Sequence, residues 1–112
     1  MNELHYSPEA QNDLSEIMKY ITLELASPTS ALNTVDSIVK KLRRLEQFAE
    51  AGARLSSIIV AETDYRYLVC GNYLAFYRIE GNNIYVDRVI YCRRDYIGIL
   101  FDGLPRDRVD TE

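Results

Sequence analysis

The sequence has no tryptophan, a single histidine and only two cysteines, and each shortage narrows the chemistry available to it. His5 has no Cys, Asp or Glu at metal-ligand spacing, so we expect a partly buried structural role, with no metal and no other cofactor. Cys70 and Cys92 are too few for a disulfide framework, and both fall in strand-like runs where a small buried side chain is expected. Glycine-rich phosphate loops and nucleophile elbows are also missing.

Long apolar runs are missing as well, since none approaches the ~20 residues that cross a bilayer. The first residues, MNELHYSPEAQ, lack the basic and apolar parts of a secretory signal. We therefore expect a cytoplasmic protein with no membrane partner. Its 112 residues, 47% hydrophobic and 27% charged, predict one globular domain over 1–112, with a loose tail at 103–112.

Lysine does not occur after Lys41, and the net charge of −4 is unevenly distributed. Residues 1–36 carry one base and six acids, and residues 37–64 carry five bases and four acids. Residues 65–94 carry five arginines against two acids, whereas residues 95–112 carry two bases and five acids. Arginine suits bidentate contact with carboxylate or phosphate. The single basic segment is therefore compatible with a partner-binding patch or with an RNA track.

Two helices are predicted from their start signals and apolar stripes. Ser7-Pro8 and Ser27-Pro28 each supply a capping hydroxyl and a proline suited to the first helical turn. Apolar residues then recur at helical spacing: Leu14, Ile17, Met18 and Ile21 in the first helix, and Ala31, Leu32, Val35, Ile38, Val39, Leu42 and Leu45 in the second. Gly52 is expected to stop the second helix. Only ELASP separates the two, which predicts an antiparallel helical hairpin.

The remaining segments are strand-like. ELHY (Glu3–Tyr6) predicts a first strand, and LSSIIV, YRYLVC, YLAFYRI and IYVDRVIYC predict extended segments joined by short turns. The order β-α-α-β-β-β predicts an α+β fold, in which a helical hairpin covers one face of an antiparallel sheet. A short C-terminal helix can follow from Asp95 to Phe101. The acids of the first helix, Glu9, Asp13 and Glu16, are expected to form a solvated face.

Tyrosine and arginine concentrate in the second half of the chain. Seven of the nine tyrosines lie between Tyr65 and Tyr96, interleaved with the five arginines. Strict alternation along the last strand assigns Ile84, Val86, Arg88, Ile90 and Cys92 to one face, and Tyr85, Asp87, Val89, Tyr91 and Arg93 to the other. Neither set is wholly apolar, which predicts a partly open face. Such a face, rich in Tyr and Arg, is typical of surfaces that bind protein or nucleic acid, although cross-strand packing accounts for many of the tyrosines.

The segment YCRRDY, Tyr91 to Tyr96, ends the last predicted strand. One interpretation makes it the working end of a binding or RNA-cutting site. The other makes it a solvated strand end, where Asp95 caps a helix or pairs with Arg93 or Arg94.

The opening YSPEAQNDLSEIMKYI and the segment GNYLAFYRIEGNNIYVDRVIYCRRDY resemble the RelE/ParE superfamily of bacterial type II toxin–antitoxin toxins. The resemblance extends from Tyr6 to Phe101 and implies the same β-α-α-β-β-β fold. It also implies an operon-encoded pair, of the kind associated with plasmid stabilisation, in which an acidic antitoxin wraps over the toxin in a hetero-oligomeric complex. Toxins of this superfamily arrest growth by poisoning DNA gyrase, in the ParE-like branch, or by cleaving mRNA on the ribosome, in the RelE-like branch.

Individual residues indicate which of the two branches the chain resembles more. Arg94 falls where the RNA-cleaving branch keeps a catalytic arginine, and Arg66 could partly replace its lysines. However, Tyr73-Leu74 stands where that branch has Tyr-Arg. The pattern GNYL…FYR…RV…RRDY is closer to the ParE-like branch. A non-nucleolytic gyrase poison is therefore favoured, with an mRNA interferase as the alternative and a non-toxic antitoxin-binding relic as a third interpretation.

The expected binding residues for target or antitoxin are Arg66, Arg78, Arg93, Arg94 and Tyr96. An antitoxin C-terminal segment is expected to cross the helical hairpin and the sheet edge, with its acids meeting the cluster of Arg66, Arg93 and Arg94.

Overall fold

A computed structural model describes residues 1–58 and 63–101. Its elements in chain order are β1 (Glu3–Tyr6), α1 (Pro8–Glu24), α2 (Pro28–Arg43), β2 (Ala53–Arg54), β3 (Arg66–Cys70), β4 (Tyr73–Glu80), β5 (Asn83–Tyr91) and α3 (Tyr96–Leu100). The strands form one five-stranded sheet in the order β1-β5-β4-β3-β2. Strands β2 to β5 pair antiparallel, as predicted, but β1 is parallel to β5, and the two-residue strand β2 is an addition to the predicted order.

The predicted caps at the start of both long helices are confirmed. The Ser7 hydroxyl accepts a hydrogen bond from the Ala10 amide at 2.9 Å, and the Ser27 hydroxyl accepts one from the Ser30 amide at 3.3 Å. The predicted stop at Gly52 is wrong, because α2 ends at Arg43, well before that glycine. Within the described ranges, none of the helices is long and apolar enough to cross a membrane.

The helical hairpin packs on one face of the sheet, which we call the hairpin face. Ile17 and Ile21 of α1 meet Ile38 and Leu42 of α2 over the sheet residues Tyr77, Ile84, Val86 and Val89. The stripes are therefore largely confirmed, with Leu14 and Val35 partly buried against the same core. Leu32 is an exception, since 60% of it is exposed.

The opposite face of the sheet carries a smaller core around α3. Leu55, Leu74, Phe76 and Ile90 are buried there, and α3 packs against them. The Asp95 carboxylate accepts a hydrogen bond from the Gly98 amide at 3.1 Å, which caps α3 and confirms the predicted short helix. We call this whole side of the sheet, opposite the helical hairpin, the α3 face. Helix α3 covers the part of it that is formed by the smaller core.

Two local predictions fail, and a third is not tested. Leu55–Ser57, the start of LSSIIV, forms a 3-10 turn that buries Leu55, so it is not extended; Ile59 and Val60 lie outside the described residues. Cys70 is buried as expected, but Cys92 is exposed because it follows the end of β5. The predicted loose tail, 103–112, also lies outside the described residues.

Strict alternation along β5 is wrong beyond Val86. Phe76 pairs with Arg88 while its neighbour Tyr77 pairs with Val86, so Asp87 is an extra residue in a β-bulge. Val86 and Val89 consequently lie on the same face of the sheet, and Ile90 lies on the other.

Candidate functional site

A cleft of about 1060 Å³ opens between the helical hairpin and the end of the sheet that carries the β3–β4 turn. Its apolar floor includes Ile17, Ile38 and Val89. We call it the hairpin cleft; the polar and aromatic residues on its walls include Asp13, Glu16, Tyr20, Ser37, Lys41, Tyr73, Arg88, Tyr91 and Arg94. A concave surface with an apolar floor and a polar, aromatic rim is suited to binding a segment of another protein.

Three tyrosines dominate the aromatic part of the cleft. Tyr73 of β4 pairs with Tyr91 of β5 across the sheet, and their ring centroids lie 5.7 Å apart. Burial raises the pKa of Tyr73, and the neighbouring Tyr91 and Tyr20 add to the rise. Tyr20 is 56% exposed and Tyr91 is 38% exposed, so both rings offer area to a partner. Tyrosines in such positions are frequent energetic centres of protein interfaces.

One wall of the cleft is held by a charged contact between α1 and β5. The Asp13 carboxylate accepts hydrogen bonds from Arg88 Nε at 2.7 Å and Arg88 Nη2 at 2.9 Å. It also accepts one from the Val89 amide at 2.9 Å. The Asp13 side chain is only 11% exposed, so the predicted solvated role for this acid is wrong. Three donors on one carboxylate make a strong, geometrically specific contact.

Arg78 lies on the α3 face, within a network of acids and aromatic rings. Its Nε donates to Asp87 at 2.8 Å, its Nη1 donates to Glu80 at 2.6 Å, and its guanidinium lies 5.2 Å from the centre of the Tyr85 ring. The Tyr65 hydroxyl donates to the same Asp87 carboxylate at 2.9 Å. Burial and this hydrogen bond raise the pKa of Tyr65 to about 12. The charge of Arg78 is therefore neutralised inside the chain.

Arg66 lies on the hairpin face, where it holds the segment that leads into β2. Its Nη1 donates to the Gly52 carbonyl at 2.8 Å. The Gly52 amide in turn donates to the Tyr77 hydroxyl at 2.9 Å, and that hydroxyl donates to the Ala49 carbonyl at 2.8 Å. Arg66 is thus a structural residue in this arrangement.

The YCRRDY segment leaves the end of β5 and enters α3. Arg93 and Arg94 are exposed, and neither guanidinium has a hydrogen-bond or ion-pair partner among the described residues. Asp95 caps α3, as the second interpretation of this segment held, whereas the described contacts of Asp95 include no pairing with either arginine. Tyr96 stacks on Phe76 at 5.6 Å, so its ring contributes to the core under α3.

The structure brings together only some of the predicted binding residues. Arg66 is opposite Tyr77 in the register, whereas Tyr91, at the start of YCRRDY, is opposite Tyr73. Four residues of strand separate these positions, about 14 Å at ~3.4 Å per residue. The expected cluster of Arg66, Arg93 and Arg94 is therefore divided. Of the predicted residues, Arg94 alone lines the hairpin cleft, while Arg78 is on the opposite face.

Several residues of the cleft were not singled out from the sequence. Lys41 reaches the outer edge of β3, where its Nζ donates to the Val69 carbonyl at 2.5 Å. Tyr20 and Lys41 fall outside the apolar stripes predicted for their helices. No sequence signal identified them, because their importance depends on how the hairpin is placed over the sheet.

The single histidine has a structural environment. His5 Nε2 lies 2.9 Å from Asn83 Oδ1, and the imidazole stacks on Tyr85 at 5.1 Å. In the part of the chain that the structure describes, His, Cys, Asp and Glu side chains do not gather in groups that could hold a metal ion.

Comparison with known proteins agrees with the fold. Residues 4–96 match the family model described as the ParE toxin of a type II toxin–antitoxin system, parDE. A solved structure described as the chromosomal ParDE TA system from P. aeruginosa is 29% identical in sequence, with a TM-score of 0.67. The match covers 81% of this chain and 96% of that chain. None of the curated proteins matches the sequence. The chain therefore belongs to the ParE toxin family of type II toxin–antitoxin systems.

Proposed function

We propose that this toxin arrests growth by acting on DNA gyrase, without cutting RNA, and that its cognate antitoxin neutralises it by covering the hairpin cleft and the YCRRDY segment. The observation that supports a toxin that does not cut RNA is that the arginines of the sheet are already bound within the chain. Arg78 and Arg88 are paired with carboxylates, and Arg66 is bonded to a main-chain carbonyl.

In-line RNA cleavage requires positive charge that converges on the reacting phosphate. Here Arg66 and Arg88 lie on the hairpin face and Arg78 lies on the α3 face, so the three do not converge. Moving any of them to a phosphate would break its present hydrogen bond and, for Arg78 and Arg88, an ion pair as well. These features argue against the RelE-like alternative.

The same alternative needs a base for the attacking 2′-hydroxyl, and an efficient base has a pKa near the working pH. Burial raises the pKa of Tyr73 in the cleft, and the pKa of Tyr65 on the α3 face is raised to about 12. Both shifts move these hydroxyls further from that role. His5 is bonded to Asn83 and stacked on Tyr85, in β1 at the far side of the sheet from β3.

The antitoxin part of the proposal starts from the hairpin cleft. Its apolar floor and the rings of Tyr20, Tyr73 and Tyr91 suit an amphipathic segment, and Arg94 supplies positive charge at its rim. An acidic segment that contacts Arg93 and Arg94 there would cover YCRRDY at the same time. The charge contact expected with Arg66 is dropped from this proposal, because Arg66 is engaged elsewhere.

The test is to measure supercoiling by purified DNA gyrase and integrity of ribosome-bound mRNA, each with the purified toxin. We expect inhibition of supercoiling and intact mRNA. The Arg94→Ala variant should lose inhibition and growth arrest while it still folds. Arg54→Ala is the matched control, since Arg54 is an exposed arginine of β2, next to β3 at the sheet edge.

Two results would contradict the proposal. Cut mRNA with unaffected supercoiling would support the interferase alternative. Neither effect, combined with normal growth on expression, would support the third interpretation, a non-toxic antitoxin-binding relic.

A further inference from the structure

The β-bulge in β5 lies between the part of the strand that builds the core and the part that reaches the hairpin cleft. Before it, Val86 pairs with Tyr77; after it, Arg88 pairs with Phe76. An extra residue in a strand reverses the faces to which all later side chains point. The bulge therefore decides which residues at the end of β5 face the cleft.

That reversal has visible consequences after Arg88. Val89 is buried under the helical hairpin, and Ile90 is buried in the smaller core beside α3. Tyr91 lines the cleft next to Tyr73. Under strict alternation from Val86, Ile90 would face the hairpin instead, and Tyr91 would point away from the cleft.

Both residues at the bulge are held by charged contacts, one on each face of the sheet. On the α3 face, Asp87 accepts hydrogen bonds from Arg78 and Tyr65. On the hairpin face, Asp13 binds Arg88 through two nitrogens and also accepts from the Val89 amide. The Val89 contact joins Asp13 to the main chain itself, because a bulge disrupts the regular ladder and main-chain groups beside it need another partner.

We propose that Asp13 is a positioning residue for the hairpin cleft: by holding Arg88 and the Val89 amide, it fixes the bulge and so directs Tyr91 into the cleft, with Arg94 at the rim. Asp13 acts through the strand, and its own carboxylate is nearly enclosed. An effect of Asp13 on antitoxin binding rests on the proposed docking of the antitoxin in this cleft. The effect of Asp13 on the direction of Tyr91 does not depend on that docking.

If Asp13 were purely structural, replacing it would lower stability but leave the conformation of the folded molecules unchanged. If Asp13 is a positioning residue, replacing it changes the conformation of the folded molecules as well. The contact between the Tyr73 and Tyr91 rings, whose centroids are 5.7 Å apart, separates these cases, because it gives a nuclear Overhauser effect only if Tyr91 faces the cleft.

The experiment compares Asp13→Asn with Asp36→Asn, a matched control on α2 whose carboxylate pairs with Lys40 on the surface at 3.0 Å. We expect Asp13→Asn to lose the Tyr73–Tyr91 effect and to bind the full-length antitoxin encoded in the same operon at least about tenfold more weakly, equivalent to ~1.4 kcal/mol. Asp13→Glu, which keeps the carboxylate, should restore part of the Tyr73–Tyr91 effect and part of the antitoxin affinity. Asp36→Asn should change neither the effect nor the affinity.

If Asp13→Asn does not fold, Arg88→Lys provides a milder variant, since an ammonium cannot bind both carboxylate oxygens in the same planar fork. A folded Asp13→Asn or Arg88→Lys protein that keeps the ring contact at parental intensity would overturn the inference, whatever its melting temperature. Tyr91→Ala tests the docking proposal separately. If that variant binds antitoxin as tightly as the parent, the antitoxin does not use this part of the cleft, and the ring contact still decides the role of Asp13.

Discussion

Leu42 provides a direct test of how the helical hairpin is placed on the sheet. It belongs to α2 and is fully buried in the core shared by Ile17, Ile38 and the sheet. Leu42→Ala removes three carbon atoms from that core without adding a polar group. Alanine also has a high helix propensity, so the helix itself is not weakened.

The expected loss can be estimated from the burial of the side chain. Leucine-to-alanine changes at fully buried sites cost about 2–5 kcal/mol, combining lost transfer energy with the cavity left behind. The upper part of that range is expected here, because Leu42 is fully buried in a core shared by both helices and the sheet. For a domain of this size each kcal/mol corresponds to ~4 °C, so a loss of ~4–5 kcal/mol should lower the melting temperature by ~16–20 °C.

Urea unfolding and thermal unfolding, followed by circular dichroism, measure the two quantities independently. Leu32→Ala is the matched control, since Leu32 is on the same helix and 60% exposed. It should change the free energy of unfolding by less than ~0.5 kcal/mol. Equal effects of the two substitutions, or no effect of Leu42→Ala, would mean that α2 does not present this face to the sheet.

Three further predictions use other parts of the structure. Gly52→Ala should cost about 1–3 kcal/mol in urea unfolding, because its new Cβ would lie 2.6 Å from the Tyr67 carbonyl oxygen and 2.7 Å from the Tyr77 hydroxyl. The fold favours protonated Tyr65, whose pKa rises from 10.0 to about 12, so its contribution to stability is complete below pH 10 and is lost as the pH rises toward 12. The parent should therefore lose more stability over that interval than Tyr65→Phe, and equal losses would contradict the assignment. Antitoxin affinity should fall with rising ionic strength if acids meet Arg93 and Arg94, and a salt-independent affinity would remove that charge contact.

Much of the fold could be predicted because its signals are local. A serine followed by proline specifies a helix start, since the hydroxyl caps a free amide and the ring fits the first turn. Both helices begin in this way, at Pro8 and Pro28. The apolar stripes identified the faces that meet the sheet for the same reason, because helical periodicity is a property of a short window.

Features that depend on distant contacts could not be predicted in this way. The main chain beside the bulge at Asp87 is bonded to Asp13, which is more than seventy residues earlier in the chain. The 3-10 turn at Leu55 depends on a pocket formed by Leu74, Phe76 and Ile90. Local propensity favours an extended segment there, and tertiary packing overrides it.

The arginine-rich segment shows how such distant contacts decide which residues can reach a partner. The five arginines between 65 and 94 form one basic block in the sequence, but the sheet distributes them over two faces and one end. Arg66, Arg78 and Arg88 each donate to an acceptor of the same chain at 2.7–2.8 Å. Binding a partner through any of them would break that hydrogen bond, at a cost of ~0.5–3 kcal/mol. Arg93 and Arg94 are exposed beyond the last strand and can bind without that cost, so a partner's acids are expected to contact YCRRDY rather than the sheet.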